Sequence, residues 1–189
     1  MARPKKLPKV LTADEQAALV RQLNTRYASS LRNRCLIRVM LEAGLRAGEV
    51  VALRPEHVDM RTCRLVVREG KGAKDRVLWI SDDLRDVVGL WLERRPESPW
   101  LFPTRNGEHL DTRYLRTMVK HYAVKAGISE AERVSPHVLR HTFATDLLRE
   151  TKNIRLVQKA LGHSDVSTTM IYTHVFDEEL EEALRRRDT

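Results

Sequence analysis

Apolar positions recur at helical spacing along most of the chain and at strand spacing in one region. Leu19, Val20 and Leu23 follow Thr12-Ala13-Asp14-Glu15, where Thr12 can cap a helix and Glu15 can close the capping box. Leu36, Ile37, Met40 and Leu41 mark a second helix over about 30–42, ended by Gly44. A short helix over about 46–53 stops before Pro55. The runs Arg64–Arg68 and Arg76–Ile80 are short and rich in strand formers. They flank Glu69-Gly70-Lys71-Gly72-Ala73-Lys74 and predict a hairpin. Helical spacing returns after Ser81-Asp82 with Leu84, Val87, Val88, Trp91 and Leu92, and Pro96 and Pro99 punctuate a loop. Asp111 is placed to cap a helix carrying Leu115, Met118, Val119 and Tyr122 that ends near Gly127. Ser135-Pro136 pairs an N-cap with a first-turn proline, ahead of a helix that buries Leu139, Phe143 and Leu147. A helix over about 154–161 ends at Gly162, and Ser164 or Asp165 opens another that leads into Tyr172. The pattern predicts a mainly α domain with one small antiparallel β-sheet, an α+β arrangement.

A chain of 189 residues supports one domain with a real core. Cys35 and Cys63 are too few for a disulfide framework or a zinc cage, which fits a reducing compartment. No apolar run reaches membrane-spanning length and no leader pattern opens the chain, so the cytoplasm is the expected location, with no membrane partner. Charge adds a direction. Lys and Arg number 34 against 26 acids, a net charge of +8, which suits a polyanionic partner. Residues 1–10, basic and broken by prolines, read as a flexible arm or linker remnant.

Several side chains could carry chemistry. A phosphodiester resists attack because its free oxygens are already charged, so a catalyst must hold fixed cations there. Arginine fits, being planar and always charged. His137, Arg140, His141 and Ala144 share one helical face opposite Leu139 and Phe143. A solvated basic face is the plain alternative. His137 and His141 also have the spacing of paired metal ligands, but Val138 stands where the zincin pattern wants glutamate, so no metal is expected. Glu49 lies one helical turn after Arg46 and can orient it, or simply form a surface pair. Lys71 sits between two glycines at a hairpin tip, with Lys74 equally eligible to reach a nucleic-acid strand. His163 follows a glycine at a helix junction, and Tyr172 comes nine residues later.

Gly44-Leu45-Arg46-Ala47-Gly48-Glu49, Gly70-Lys71-Gly72, His137-Val138-Leu139-Arg140-His141-Thr142-Phe143-Ala144-Thr145, and Leu161-Gly162-His163-Ser164-Asp165 through Tyr172-Thr173-His174 stand in one order. Together they resemble the catalytic domain of the tyrosine recombinases, also called phage-type integrases, and most closely the Xer branch. The resemblance spans about Leu11 to Val175. It implies the DNA breaking-rejoining fold and site-specific recombination of double-stranded DNA. Arg46 and Arg140 would clamp the scissile phosphate with His163. Tyr172 would form a 3′-phosphotyrosyl bond, Lys71 would protonate the leaving 5′-oxygen, and His137 would accept or position the tyrosine proton. Glu49 would stand behind as an orienting group. Arg46, Lys71, Lys74, Arg140 and His163 would touch DNA. The resemblance also implies no cofactor, a tetrameric synapse of the chain with itself or with a second recombinase, and an N-terminal clamp domain in full-length members. It divides the chain into the arm 1–10, a catalytic domain 11–175 and an amphipathic tail 176–189. The tail, with Phe176, Leu180 and Leu184 at four-residue spacing, would dock on a neighbour. A type IB topoisomerase-like relaxase and a non-catalytic DNA-binding module are the alternative functions.

Overall fold

Helix α2 (Ala28–Ala43) is the axis on which the other elements pack. Its apolar residues Leu31, Cys35, Leu36, Ile37 and Met40 are fully buried, and even Arg32, Asn33 and Arg38 lie inside. A helix enclosed on all faces must satisfy its polar groups internally. Arg32 donates to the Pro103 carbonyl at 2.8 Å and to the Tyr114 hydroxyl at 2.7 Å. Arg38 pairs with Glu42 at 2.6 Å and with Asp83 at 2.7 Å. Burial pushes the Cys35 thiol up to about 12, against the lowering pull of Arg38 and Arg34, so this sulfur is an inert core group.

The computed structural model describes residues 9–68, 75–162 and 185. The predicted hairpin turn with Lys71 and Lys74, the His163–Tyr172 segment and the tail stripe Phe176–Leu184 lie outside the described residues. Helix α1 (Ala13–Arg21) opens with the predicted capping box: Thr12 Oγ1 accepts from Glu15 N at 3.2 Å, and Glu15 Oε2 accepts from Thr12 N at 3.0 Å. Helix α2 begins two residues before the predicted start and ends at Gly44. Helix α3 (Ala47–Val51) is shorter than predicted, because Arg46 is its N-cap rather than its first turn.

The sheet is antiparallel, in the order β1 (Val58–Asp59), β2 (Arg64–Val67), β3 (Arg76–Trp79). Val66 pairs with Val77 and Val67 with Arg76. The two long strands fulfil the predicted hairpin pairing. The short β1 went unread because two residues carry no alternation to detect. Helix α4 (Asp82–Arg94) covers α2 and anchors Trp91, whose Nε1 donates to the Leu101 carbonyl at 2.7 Å. Helix α5 (Thr112–Lys125) starts as expected at Asp111, whose Oδ1 accepts from Arg113 N at 2.7 Å.

Helix α6 (Pro136–Thr151) packs along α2, and α7 (Ile154–Leu161) packs on α6 through Ala144, Leu148, Val157 and Leu161. Here the sequence reading needs correction. Leu139 is buried as expected, but Phe143 and Leu147 are only half-buried, while Arg140, Thr142, Ala144 and Thr145 are enclosed. On the face that carries His137, Arg140, His141 and Ala144, only His137 is exposed; His141 is half-buried, and Arg140 and Ala144 are enclosed. Phe143 and Leu147 still pack against the core, so α6 is covered on more of its circumference than an apolar-stripe reading allows.

Candidate active site

The site is built on two helix ends and a strand. Gly44 closes α2 in the left-handed region, at φ 63°. A Cβ there would lie 2.2 Å from Cδ1 of Phe143, so only glycine lets α6 come this close. Two residues on, Arg46 takes the N-cap position of α3, and Glu49 sits one turn inside. Glu49 reaches back in the manner of a capping box. Its Oε2 accepts from the Arg46 amide at 2.7 Å, and its Oε1 accepts from Arg46 Nη1 at 2.7 Å. The carboxylate thus holds both the backbone and the head of Arg46. The Arg46 side chain stays 42% exposed.

Arg140 arrives from α6 and is 5% exposed. Its Nη1 donates to the Gly44 carbonyl at 2.5 Å and its Nη2 to the Leu161 carbonyl at 2.7 Å. These acceptors are the C-terminal ends of α2 and α7, where helix dipoles favour a cation. Nη1 also lies 3.7 Å from Glu49 Oε2. A buried guanidinium held on two helix ends is rigid, which is what a preorganised charge donor requires.

A third arginine completes the hub. Arg76, at the start of β3, is 7% exposed and grips Glu49 with both terminal nitrogens, at 3.0 and 2.7 Å. Its Nε donates to the Ala160 carbonyl of α7 at 2.9 Å. Burial pushes the Glu49 carboxyl upward, yet the Arg76 hydrogen bonds, the Arg46 amide and the charges of Arg76 and Arg140 outweigh it. The group is held at about 2 and stays ionised. Glu49 is therefore not the simple surface pair that its spacing also allowed.

In front of this hub lies a cleft of about 240 Å³, lined by Arg46, Ala47, Gly48, Arg116, Ser135, Pro136, His137 and Arg140. The amino end of α6 opens onto it, and Ser135 makes no capping bond there, so first-turn amides add to the positive field. His137 is exposed, and its ring stacks 6.0 Å from that of His141. Burial lowers the affinity of His141 for a proton, and His137 and Arg140 lower it further, which favours the neutral ring. Among the described residues no third His, Cys, Asp or Glu joins the pair in a metal-binding group.

The structure thus brings together Arg46, Glu49, His137 and Arg140, and leaves Lys71, Lys74, His163 and Tyr172 outside the described residues. Sequence reasoning missed Arg76 and Arg116. Arg116 had a weak signal, as a basic residue on the exposed face of a capped helix. Arg76 had none of its own: its place opposite buried Val67 on the sheet is visible only in the fold.

Residues 9–179 match the model of the phage integrase family. The chain belongs to that family. The match covers every element described above and the segment through Tyr172. Among similar proteins, the tyrosine recombinase XerA of Thermococcus kodakarensis is 42% identical over 184 residues, covering 95% of this chain and 63% of the relative. Tyrosine recombinase XerD of Caulobacter vibrioides is 40% identical over 184 residues, covering 92% and 60%. The chain therefore spans about three-fifths of the length of the curated relatives it matches. A crystal structure of XerA recombinase superposes with a TM-score of 0.84 at 34% identity, covering 98% of this chain and 67% of that one. A post-cleavage complex of XerH site-specific recombinase with a palindromic difH substrate gives 0.82 at 30% identity, over 97% and 54%. For this phage integrase member, the fold inferred from sequence motifs is the fold observed.

Proposed function

We propose that this chain is the catalytic part of a site-specific DNA recombinase that cleaves and rejoins duplex DNA through Tyr172. The observation that carries the reading is the cleft in which Arg46 and Arg140 are fixed around one ionised carboxylate. Such a pair can neutralise two phosphate oxygens as charge builds on them. The XerH structures bound to difH substrate add support for double-stranded DNA as the partner.

In this reading the Tyr172 oxygen attacks phosphorus, and its proton passes to His137 or to water. The bond to the 5′-oxygen breaks, and that oxygen takes a proton from Lys71. The 3′-phosphate remains on the tyrosine, so the strand's bond energy is stored, and attack by a 5′-hydroxyl reverses the steps. His163 adds a third contact to phosphate, and Lys74 a contact to the adjoining strand. Two copies acting on each site would form a tetrameric synapse, with the tail 176–189 docked between neighbours.

The test is incubation with a nicked suicide duplex carrying candidate sites, read on a denaturing gel. A covalent protein–DNA band is expected. Stoichiometric binding without any covalent band would favour a DNA-binding module, and relaxation of supercoiled plasmid by a monomer would favour a relaxase.

A further inference from the structure

We propose that Arg76 is a positioning residue of the cleft: its buried guanidinium fixes the Glu49 carboxylate between Arg46 and Arg140 and ties it to the end of α7. The rate readout below rests on the recombinase reading above, and the titration readout does not.

The geometry of Glu49 carries the argument. An ionised carboxylate offers about four acceptor positions. Oε1 takes Arg46 Nη1 at 2.7 Å and Arg76 Nη1 at 3.0 Å, while Oε2 takes the Arg46 amide at 2.7 Å and Arg76 Nη2 at 2.7 Å. Arg76 supplies two of these four bonds, and its fork sets the plane of the carboxylate. Its Nε is spent on the Ala160 carbonyl, so the fork itself cannot swing. Arg76 is absent from the lining of the cleft, so it acts through Glu49 rather than on a ligand.

Loss of Arg76 shifts the competition for Glu49. Among the described residues the carboxylate then has Arg46 in hydrogen-bond range and Arg140 at 3.7 Å. Unsatisfied and buried, it gains most by drawing Arg140 closer, away from the Gly44 and Leu161 carbonyls. Both phosphate-facing guanidiniums are then neutralised from behind. A simple core ion pair would not predict this, since its loss would lower stability while leaving the aim of the two arginines alone. Among the described residues, the charged groups facing Glu49 are Arg46 on the α3 cap, Arg76 on β3 and Arg140 on α6. Arg54, Glu56, His57 and Arg68 lie across the cavity on its other side.

The test compares Arg76→Gln, Arg76→Lys, Glu49→Gln and the double variant Arg76→Gln/Glu49→Gln in the full chain. Single-turnover adduct formation, duplex affinity and circular dichroism are measured for each, with the Glu49 carboxyl titrated by carbon-13 NMR. Arg76→Gln is expected to slow adduct formation by roughly a hundredfold, the scale of a small misplacement, with affinity changed by less than about threefold. Lysine recovers only part of the rate, because a point charge cannot make the three bonds of the fork. The double variant is expected to be no slower than Glu49→Gln alone. The Glu49 carboxyl in Arg76→Gln titrates well above its wild-type value.

An Arg76→Gln rate within about threefold of wild type overturns the proposal. So does an undiminished effect of Arg76→Gln in the Glu49→Gln background, which would mean that Arg76 does not work through the carboxylate. If wild type yields no adduct on any duplex, the recombinase reading fails. The titration then decides alone: an unmoved Glu49 carboxyl sinks the positioning role, and a raised one sustains it. If Arg76→Gln does not fold, Arg76→Lys and the double variant carry the same comparisons.

Discussion

At the scale of single residues, the cleft is a problem in holding arginines still. Arg140 is the clearest case, because its guanidinium rests on two helix-end carbonyls and is closed off from water. Replacing it with alanine should slow covalent-adduct formation by roughly a hundredfold or more in single-turnover assays. Lysine at 140 should not restore wild-type rates, since it cannot serve two carbonyls and a phosphate with one ammonium. Arg46→Ala should show a similar loss with a smaller effect on stability, because its side chain is 42% exposed. Glu49 gives a pH prediction. Its carboxyl is held at about 2, below the ordinary value of 4.5, so its contribution to stability is complete above pH 4.5. That contribution is lost as the pH falls from 4.5 toward 2. Urea denaturation from pH 6 to 2.5 should show a steeper loss for wild type than for Glu49→Gln, and parallel curves would refute the assignment. Arg46, Glu49, His137 and Arg140 stand in the motifs that carry the family resemblance, and the fold brings these four together. Arg76 was not legible in the sequence, because an inward-facing arginine on a strand looks like any basic residue until its partner from another element is seen.

At the scale of elements, the close approach of α6 to α2 places Arg140 against Gly44. Gly44→Ala faces both a left-handed backbone and a Cβ 2.2 Å from Phe143. It should cost about 2 kcal/mol or more in unfolding free energy by chemical denaturation. In the background of Phe143→Ala, which removes the ring, the same change should cost only the backbone term of about 1–2 kcal/mol. Equal costs in both backgrounds would show that the ring does not set the helix spacing. Thr12→Ala, which breaks the capping box of α1, should cost about 1 kcal/mol and leave DNA cleavage untouched. Elements with strong local signals were read correctly from sequence, among them α1 from its cap, α5 from Asp111 and the paired strands β2 and β3. Helix α6 was misread for a physical reason. It packs against α2 on one side and α7 on another, and its buried Arg140 and Thr142 are satisfied by backbone carbonyls that no periodicity reveals.

At the scale of the whole molecule, a net charge of +8 and a cleft lined by three arginines predict duplex binding that weakens steeply with salt. Each phosphate contact removed by Arg46→Ala or Arg116→Ala should flatten the slope of log affinity against log salt by about 0.9. The proposed docking of the tail on a neighbour has its own test: deleting residues after Asp177 should weaken cooperative binding to a two-site duplex and spare single-site binding, as read by gel shift. Unchanged cooperativity would mean that the tail belongs to its own protomer. The central claim is that Tyr172, served by the arginine cleft, becomes covalently joined to a DNA strand. Its most direct test is to digest the adduct trapped on a nicked suicide duplex and map the modified peptide by mass spectrometry. The expected result is a phosphodiester remnant on Tyr172, with no adduct from Tyr172→Phe despite near-normal DNA affinity. A remnant on Tyr27, Tyr114 or Tyr122, or an undiminished adduct from the phenylalanine variant, would contradict it.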